Sequence, residues 1–403
     1  MTARRYAVLA AVLGGVLFLA CSLIVKGGPL DSAQYGDVTY YGHYAHLMRE
    51  GQWPYRNFFD EYPPLAQPLF LGVELLPGPF FSAFKWTMAA FGMGALALLV
   101  FTLASVGASR LRIATAALVA GVAPLAAGPI YLTTYDLWPA MLTAGALLAF
   151  VRRHERLTYV LLALAVGAKV YPAVLLPIAL IESWERGGRD LARRGLVWFV
   201  GVLFLVHLPF AIAGPGGLRF SYWVQMSRGL EVESLGASVL LVLDRLGIHH
   251  VVLRDEAPGS RDAVGALPNA IGAVSSVLLV VAVLCVAWLY LRRRRSPLLA
   301  ASAAVLAFVV FSKVFSPQFV EWLGSLVPAA GFVASGLVVV VLVLTRIEFQ
   351  HFVTAHATID EWARSLTWWV FARDLAVVAI FGLLVARLAL FRSPEESRPR
   401  TGR

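Results

Sequence analysis

The sequence predicts an all-α membrane protein of about 10–12 transmembrane helices, with an external first loop that carries amphipathic helices at the membrane interface. Hydrophobic residues make up 59% of the chain and charged residues only 14%, whereas soluble domains are about one quarter charged. Arginines cluster at the ends of the apolar runs, as they do in cytoplasmic loops. The net charge of +10 is therefore attributed to membrane topology and not to binding nucleic acid.

The apolar runs define the membrane segments, because a crossing needs about 20 apolar residues. The predicted segments are 5–25, 79–105, 111–129, 137–151, 157–181, 194–213, 266–291, 297–314, 318–328, 331–346 and 366–391. The first has no convincing small-residue cleavage site and is expected to remain uncleaved. Arginine-rich stretches flank 157–181 on both sides, which predicts a helical hairpin broken near Lys169, Tyr171 and Pro172.

These segments are expected to form one integral membrane domain over residues 1–391, followed by a basic cytoplasmic tail at 392–403. Two long loops, 26–66 and 214–264, are expected to be external. An even number of crossings is consistent with both termini lying in the cytoplasm. The protein is expected in the plasma membrane.

The first external loop has the most unusual composition in the chain. It is net acidic and rich in tyrosine, which suits a polar, hydroxyl-rich substrate close to a lipid surface. The stretch VTYYGHYAHLMREG predicts an amphipathic interfacial helix that ends at Gly51. Asp37 directly precedes this helix and could either cap it or take part in chemistry. The aromatic residues could also be an ordinary interfacial belt.

Polar residues from several segments map to the external side and could converge on one cavity. They are Asp37, Asp60, Glu61, Asp136, Lys169, Gln318 and Glu321. A charge inside a membrane segment costs roughly 2.5–3.5 kcal/mol and therefore has a partner or lines a wet cavity. Lys169 in particular requires an anion, which could be a substrate phosphate or a nearby acidic side chain.

The motifs of soluble enzymes are missing from the sequence. There is no phosphate-binding glycine loop, no GxSxG and no HExxH. The histidines and the two cysteines form no recognisable ligand set, so neither a metal nor any other cofactor is expected. An enzyme of this kind could take an activated donor from the lipid phase, with a carboxylate deprotonating the acceptor and cations stabilising the leaving phosphate.

Two other functional classes remain open at this stage. A transporter or flippase would carry its charges near the bilayer midplane on broken helices, and the breaks at 169–172 and 328–331 keep this alternative. The other class that remains is a structural subunit of an envelope complex.

Five motifs spread over residues 31–330 are typical of one group of membrane enzymes. They are GDVTYYGHYAHLMREGQWPYRNFFDEYPPL at 36–65, YDLWPAMLTAGAL at 135–147, GAKVYPAVLLP at 167–177, ESLGASVL at 233–240 and FSPQFVEWL at 315–323. Through them the chain resembles glycosyltransferase family 87, the polyprenol-phosphate-mannose-dependent α-mannosyltransferases of actinobacteria, which have the C-type glycosyltransferase fold.

The resemblance implies a reaction and a catalytic residue. Mannose would pass with inversion from a polyprenyl phosphate, the co-substrate, to a lipid-linked or glycan-linked acceptor on the extracytoplasmic face. The general base of the family is an aspartate in a D-x-x-Y-Y setting, which Asp37 occupies here, and Asp31 is the reserve candidate. Mannose rests on the resemblance alone, and arabinose or another polyprenyl-linked sugar remains possible.

The other candidate residues fall into two groups. Lys169, Tyr171 and Gln318 are predicted to bind the donor, although Tyr171 could equally serve in packing. Residues expected to contact the acceptor or to shape the loop are Tyr41, Asp60, Glu61, Tyr62, Asp136 and Glu321.

Overall fold

The protein is a bundle of membrane-spanning helices. The computed structural model describes residues 2–257, 260–293, 296–354 and 359–390, so the predicted tail at 392–403 lies outside the described residues. Within this part of the chain, seven helices are long and apolar enough to cross a membrane, and two shorter apolar helices join them. The predicted polytopic helical architecture is confirmed.

The described residues form sixteen α-helices and three short strands. The helices are α1 Ala3–Ile24, α2 Val38–Arg49, α3 Ala66–Glu74, α4 Phe80–Ser105, α5 Arg110–Ala127, α6 Ile130–Thr133, α7 Leu137–Val151, α8 Glu155–Ala168, α9 Leu176–Ala213, α10 Pro215–Ser227, α11 Leu235–Arg245, α12 Ala266–Arg293, α13 Pro297–Phe311, α14 Val320–Leu326, α15 Phe332–Thr354 and α16 Ile359–Leu390. The strands are β1 Leu230–Glu231, β2 Val252–Ala257 and β3 Ser260–Val264.

Small residues let neighbouring helices of the bundle approach closely. Helix α1 packs against α4 and α5, while α7 packs against α4 and α8. Gly92 of α4 lies under the ring of Phe18 of α1, and a Cβ at this position would collide with that ring. Gly195 of α9 lies in the same way against the ring of Tyr159 on α8. Such contacts replace the hydrophobic effect, which gives little drive for association between helices in lipid.

The predicted break in the segment 157–181 is present. Helix α8 ends at Ala168, and Lys169 adopts an extended conformation with φ −158° and ψ 143°. A 3-10 turn at Tyr171–Leu175 then leads into α9. Because the helix is interrupted here, the side chain of Lys169 is directed toward the interior of the bundle.

A second break lies in the segment predicted to cross at 318–328. Helix α14 has only seven residues and continues as a 3-10 turn at Val327–Ala330. The guanidinium of Arg112 donates to the carbonyl oxygen of Ala329, and that of Arg387 donates to Ala330 O at 2.6 Å. Arginine side chains therefore satisfy the carbonyl groups that the helix leaves open.

The loops 31–66 and 214–264 meet at one end of the bundle, which we call the site end. Their contact is direct, because Gln225 donates from Nε2 to Glu61 Oε2 at 2.9 Å. Helix α2 confirms the helix predicted in the first of these loops, and α11 lies in the second. A small antiparallel sheet of order β1-β3-β2, which was not predicted, follows α10.

Candidate active site

Asp37 stands at the start of α2, and its side chain does not cap that helix. Its carbonyl oxygen accepts the first helical hydrogen bond from Tyr41 N at 3.1 Å, but the carboxylate makes no capping bond. Instead, Oδ2 accepts hydrogen bonds from the hydroxyl groups of Tyr41 at 3.3 Å and Tyr62 at 3.4 Å. The capping alternative is therefore wrong.

The electrostatic surroundings of Asp37 suit a proton acceptor. Burial raises the pKa of the carboxyl group above its ordinary value, while the charges of Lys169 and Arg228 and the two tyrosine hydroxyls act in the opposite direction. A carboxylate with a raised pKa takes up a proton more readily near neutral pH, as a general base must.

Packed aromatic rings fix the two tyrosine hydroxyls. The Tyr41 ring stacks on Phe70 with a centroid distance of 4.5 Å and meets the edge of Tyr62 at 5.2 Å. The Tyr135 ring contacts both tyrosines, at 5.6 Å from Tyr41 and 5.3 Å from Tyr62. Because Tyr41 and Tyr135 are fully buried, the hydroxyls can move little relative to Asp37.

Lys169 lies next to the Tyr135 ring and forms an ion pair with Asp136. Its Nζ is 4.8 Å from the Tyr135 ring centroid and donates to both carboxylate oxygens of Asp136, at 2.6 and 2.7 Å. Asp136 also accepts a hydrogen bond from Trp322 Nε1 at 2.7 Å. The side chain of Asp136 is 0% exposed, whereas that of Lys169 is 17% exposed.

The ion pair with Asp136 does not use all the N–H donors of Lys169. An ammonium group carries three N–H donors, and Asp136 occupies two of them. Among the described residues no acceptor takes the third hydrogen. The acidic partner that the sequence allowed for Lys169 is therefore present as Asp136. One of the three N–H donors of Lys169 is not used by this pair.

The other two residues predicted to bind the donor, Tyr171 and Gln318, differ in their surroundings. Tyr171 is 1% exposed, stacks on Trp322 at 3.9 Å and shares a hydrogen bond of 3.2 Å with Thr143. These contacts favour the packing alternative, and donor binding by Tyr171 stays a prediction. Gln318 is half-buried in the 3-10 turn Pro317–Phe319, and its amide bonds to none of the described residues.

Glu61 and Arg228 bring further charges to the site end. Burial raises the pKa of Glu61, while the positive charge of Arg228 lowers it. Arg228 follows α10 and donates from Nη2 to Glu231 Oε1 at 2.9 Å. Its charge also acts on Asp37. Two carboxylates and two cations therefore share the space between the two loops.

Asp60 is buried within the first loop, away from this space. Its Oδ1 accepts the backbone N–H of Tyr62 at 2.8 Å, and its side chain has no solvent exposure. Burial raises the pKa of Asp60 to about 7. Of its two predicted roles, the geometry favours shaping of the loop over contact with an acceptor.

Glu321 and Asp31 are also held by hydrogen bonds within the protein. Glu321 is fully buried and accepts a hydrogen bond from the hydroxyl of Thr134, which fits a structural role. Asp31 accepts the backbone N–H groups of Gly27 at 2.6 Å and Ala33 at 2.9 Å. These bonds lower the pKa of Asp31, so its surroundings favour a base less than those of Asp37 do.

The sequence did not single out Arg228, Gln225 or Trp322 as site residues. Arg228 carried one usable signal, because an arginine in a loop predicted to be external is an exception to the positive-inside rule. Trp322 stands inside the FSPQFVEWL motif but became significant only through its bond to Asp136. Among the described residues no group of three or more His, Cys, Asp or Glu side chains could hold a metal ion.

The model of glycosyltransferase family 87 matches residues 59–317, which is more than half of the chain. The chain belongs to glycosyltransferase family 87. The match includes Lys169 and Arg228, whereas Asp37 precedes it. Family membership favours a membrane-embedded glycosyltransferase over the transporter and structural alternatives.

The helical bundle of this family 87 chain also resembles a solved structure, that of ArnT from Cupriavidus metallidurans bound to undecaprenyl phosphate. The TM-score is 0.51 at 13% sequence identity, over 96% of this chain and 78% of that one. At this identity the likeness establishes the fold alone. No curated protein matches the chain.

Proposed function

We propose that the protein transfers a sugar, mannose, from a polyprenyl phosphate to a hydroxyl group of a lipid-linked or glycan-linked acceptor. The observation that carries the proposal is the half-buried Asp37 carboxylate, held by two tyrosine hydroxyls and influenced by the cations Lys169 and Arg228. A base beside two cations is what transfer from a phosphate donor requires. The undecaprenyl phosphate bound to ArnT supports a donor of this class.

In the proposed reaction Asp37 accepts the proton of the acceptor hydroxyl while its oxygen attacks the anomeric carbon. The bond between this carbon and the phosphate oxygen breaks, and the polyprenyl phosphate leaves with the electron pair. A single displacement inverts the anomeric centre. Protonated Asp37 then releases its proton to water.

The leaving phosphate gains negative charge and needs cations close by. The third N–H of Lys169 can donate to a phosphate oxygen while Asp136 keeps the ammonium in place. Arg228, held by Glu231, supplies a second positive charge from the opposite loop. The amide of Gln318 is assigned to hydroxyl groups of the donor sugar.

The site end is proposed to face the extracytoplasmic side of the plasma membrane. Arg112 and Arg387 bond to the turn Val327–Ala330 at the other end. The arginine-rich middle of α9, where Arg186 pairs with Glu155 at the start of α8, and the arginines that end α12 also lie away from the acidic first loop. Because cytoplasmic ends of membrane helices collect arginine, the basic end is assigned to the cytoplasm together with both termini.

The test is transfer by the purified protein. Labelled polyprenyl-phosphate-mannose is incubated with protein in lipid nanodiscs and a membrane lipid extract, with polyprenyl-phosphate-arabinose in a parallel reaction. We expect label from the mannose donor in a glycolipid or glycan product. Label transferred only from arabinose would contradict mannose and leave the reaction class standing.

The Asp37→Asn variant tests the base. General-base catalysis contributes about 10²–10⁴-fold, so the variant should lose at least about a hundredfold in turnover and still bind polyprenyl phosphate. The matched control is Asp190→Asn, at an exposed aspartate on α9, with turnover like that of the wild type. A wild-type rate in the Asp37 variant would remove Asp37 as the base.

A further inference from the structure

A fully buried arginine lies in the last membrane span. Arg373 belongs to the apolar stretch Ser365–Leu390 of α16, and its side chain is 0% exposed. It donates from Nη1 to Glu348 at 2.5 Å and from Nη2 and Nε to Asp374 at 3.0 and 3.1 Å. Arginine is rare in membrane spans, and where it occurs inside a bundle it commonly has a functional role.

The contacts of Arg373 reach the loops of the candidate site. Its Nη2 also donates to the backbone carbonyl of Glu233, and its guanidinium carbon lies 4.0 Å from the centroid of the Phe315 ring. Ser316, the residue after Phe315, donates to Glu231 at 3.3 Å. One side chain thus joins the FSPQF segment to the strand that precedes Glu233.

Glu231 is the carboxylate that holds Arg228. It accepts Arg228 Nη2 at 2.9 Å and the hydroxyl of Ser316, and it is 4% exposed. Arg373 fixes the chain on both sides of this arrangement, at Glu233 and at Phe315. The position of the Arg228 guanidinium therefore depends on contacts made by α16.

A second line of contacts leads from Arg373 toward Lys169. The Phe315 ring stacks on Phe319 at 5.9 Å, and Phe319 stacks on Trp322 at 4.1 Å. The Nζ of Lys169 is 5.8 Å from the Phe319 centroid and 5.5 Å from the Trp322 centroid. Arg373 closes the far end of this aromatic stack.

We propose that Arg373 is a positioning residue for the polyprenyl-phosphate site, which sets the geometry of Arg228 through Glu233, Phe315 and Ser316. This inference rests on the proposed function and extends it to α16, beyond the residues 59–317 that the family model matches. A guanidinium suits the task, because its planar fork binds several acceptors in fixed directions while its face packs on an aromatic ring.

The experiment measures binding of polyprenyl phosphate without a sugar to the full chain in nanodiscs. Dissociation constants are compared for the wild type, R228A, R373Q and the double variant. We expect R373Q to weaken binding about tenfold in the wild-type background, and less than about twofold when Arg228 is already absent. The conservative variant R373K should recover part of the affinity, since it retains the charge but not the fork.

Two further variants keep the test decisive. R373Q leaves Glu348 and Asp374 buried beside a neutral residue, which costs stability; if it fails to fold, F315L removes the ring contact instead and should show the same dependence on Arg228. The matched control is R387Q on the same helix, which loses the bond to Ala330 at the other end and should bind polyprenyl phosphate as the wild type does.

The outcomes separate this inference from the proposed function. Equal losses in both backgrounds, or unchanged affinity in R373Q or, where it does not fold, in F315L, would overturn the positioning role while leaving the transferase intact. A wild-type protein that does not bind polyprenyl phosphate would overturn both. A loss confined to the background that retains Arg228 supports the inference.

Discussion

At the residue scale, the site depends on how individual carboxyl groups are surrounded. Asp37, Asp60 and Asp31 all belong to the first loop, yet their side chains have different surroundings. Asp37 faces tyrosine hydroxyls and cations, Asp60 is enclosed by the loop, and Asp31 is bound by backbone N–H groups. Burial raises the first two pKa values, whereas hydrogen bonds to the ionised form lower the third.

The hydroxyl of Tyr62 stabilises the ionised form of Asp37. In Tyr62→Phe the pKa of Asp37 should therefore rise further. Because the base must be ionised, activity is lost as pH falls through this pKa, and the acidic limb of kcat/KM should move to higher pH by about one unit. A pH profile of transfer checks this, with Tyr44→Phe as the control. An unshifted limb would contradict the assignment.

Asp60 predicts a dependence of stability on pH. Its pKa is about 7 in the folded protein and 3.8 as the ordinary value, so between these values the unfolded chain is ionised and the folded chain is protonated. Raising the pH through this window should lower the free energy of unfolding by roughly 1.4 kcal/mol per unit. In Asp60→Asn the slope should decrease by this amount, while the contributions of Asp37 and Glu61 remain. Thermal unfolding from pH 4 to pH 8 measures the difference.

Asp190→Asn, at an exposed aspartate, serves as the reference for that comparison. If Asp60→Asn retains the wild-type slope, the buried carboxyl group is not its source.

At the element scale, a broken helix presents the main cation of the site. The break after α8 places Lys169 beside Asp136, at the start of α7, and beside Trp322 of α14. Three separate elements therefore meet at one ion pair. Such a pair both holds the elements together and limits where the ammonium group can point.

The two roles of Lys169 can be separated by paired variants. Lys169→Met leaves Asp136 charged and buried, which should cost about 3–5 kcal/mol of stability. The double variant Lys169→Met/Asp136→Asn should regain most of that loss, because no unpaired charge remains and the asparagine can still accept from Trp322. Thermal unfolding of both proteins measures this effect.

Affinity for polyprenyl phosphate gives the complementary measurement. If Lys169 contacts the phosphate, binding stays weak in the double variant although stability returns. Recovery of wild-type affinity together with stability would show that Lys169 acts only as the partner of Asp136.

At the scale of the whole molecule, the two ends of the bundle differ in charge. The acidic and tyrosine-rich loops occupy one end, and the arginines that bond to the turn Val327–Ala330 occupy the other. Between them the helices pack through small residues and aromatic rings, as at Gly92 and Phe18. The site end can therefore bring together loops that are distant in sequence only if the helices below keep their close spacing.

Gly92→Ala tests this packing. The added methyl group would collide with the Phe18 ring, so α1 and α4 should be forced apart at a cost of about 1–3 kcal/mol. The control is Gly15→Ala in α1, where no atom lies within 4 Å of the new Cβ and helix propensity should improve by up to about 1 kcal/mol. Thermal unfolding in nanodiscs is expected to show opposite signs for the two variants.

The sequence by itself determined the helical bundle, the break at Lys169, the helix that follows Asp37 and the concentration of acids in residues 26–66. These features follow from local composition, because a bilayer accepts only long apolar helices and because a proline inside an apolar segment tends to break the helix. The resemblance to the family added Asp37 as the expected base.

Only the tertiary structure decided which charges meet. Trp322 and Asp136 are separated by 186 residues along the chain, and Arg373 reaches Glu233 across 140. No local pattern encodes such contacts. Nor do composition and spacing alone distinguish Asp37 from Asp60 or Asp31, because the protonation and access of a carboxyl group depend on the atoms that fold around it.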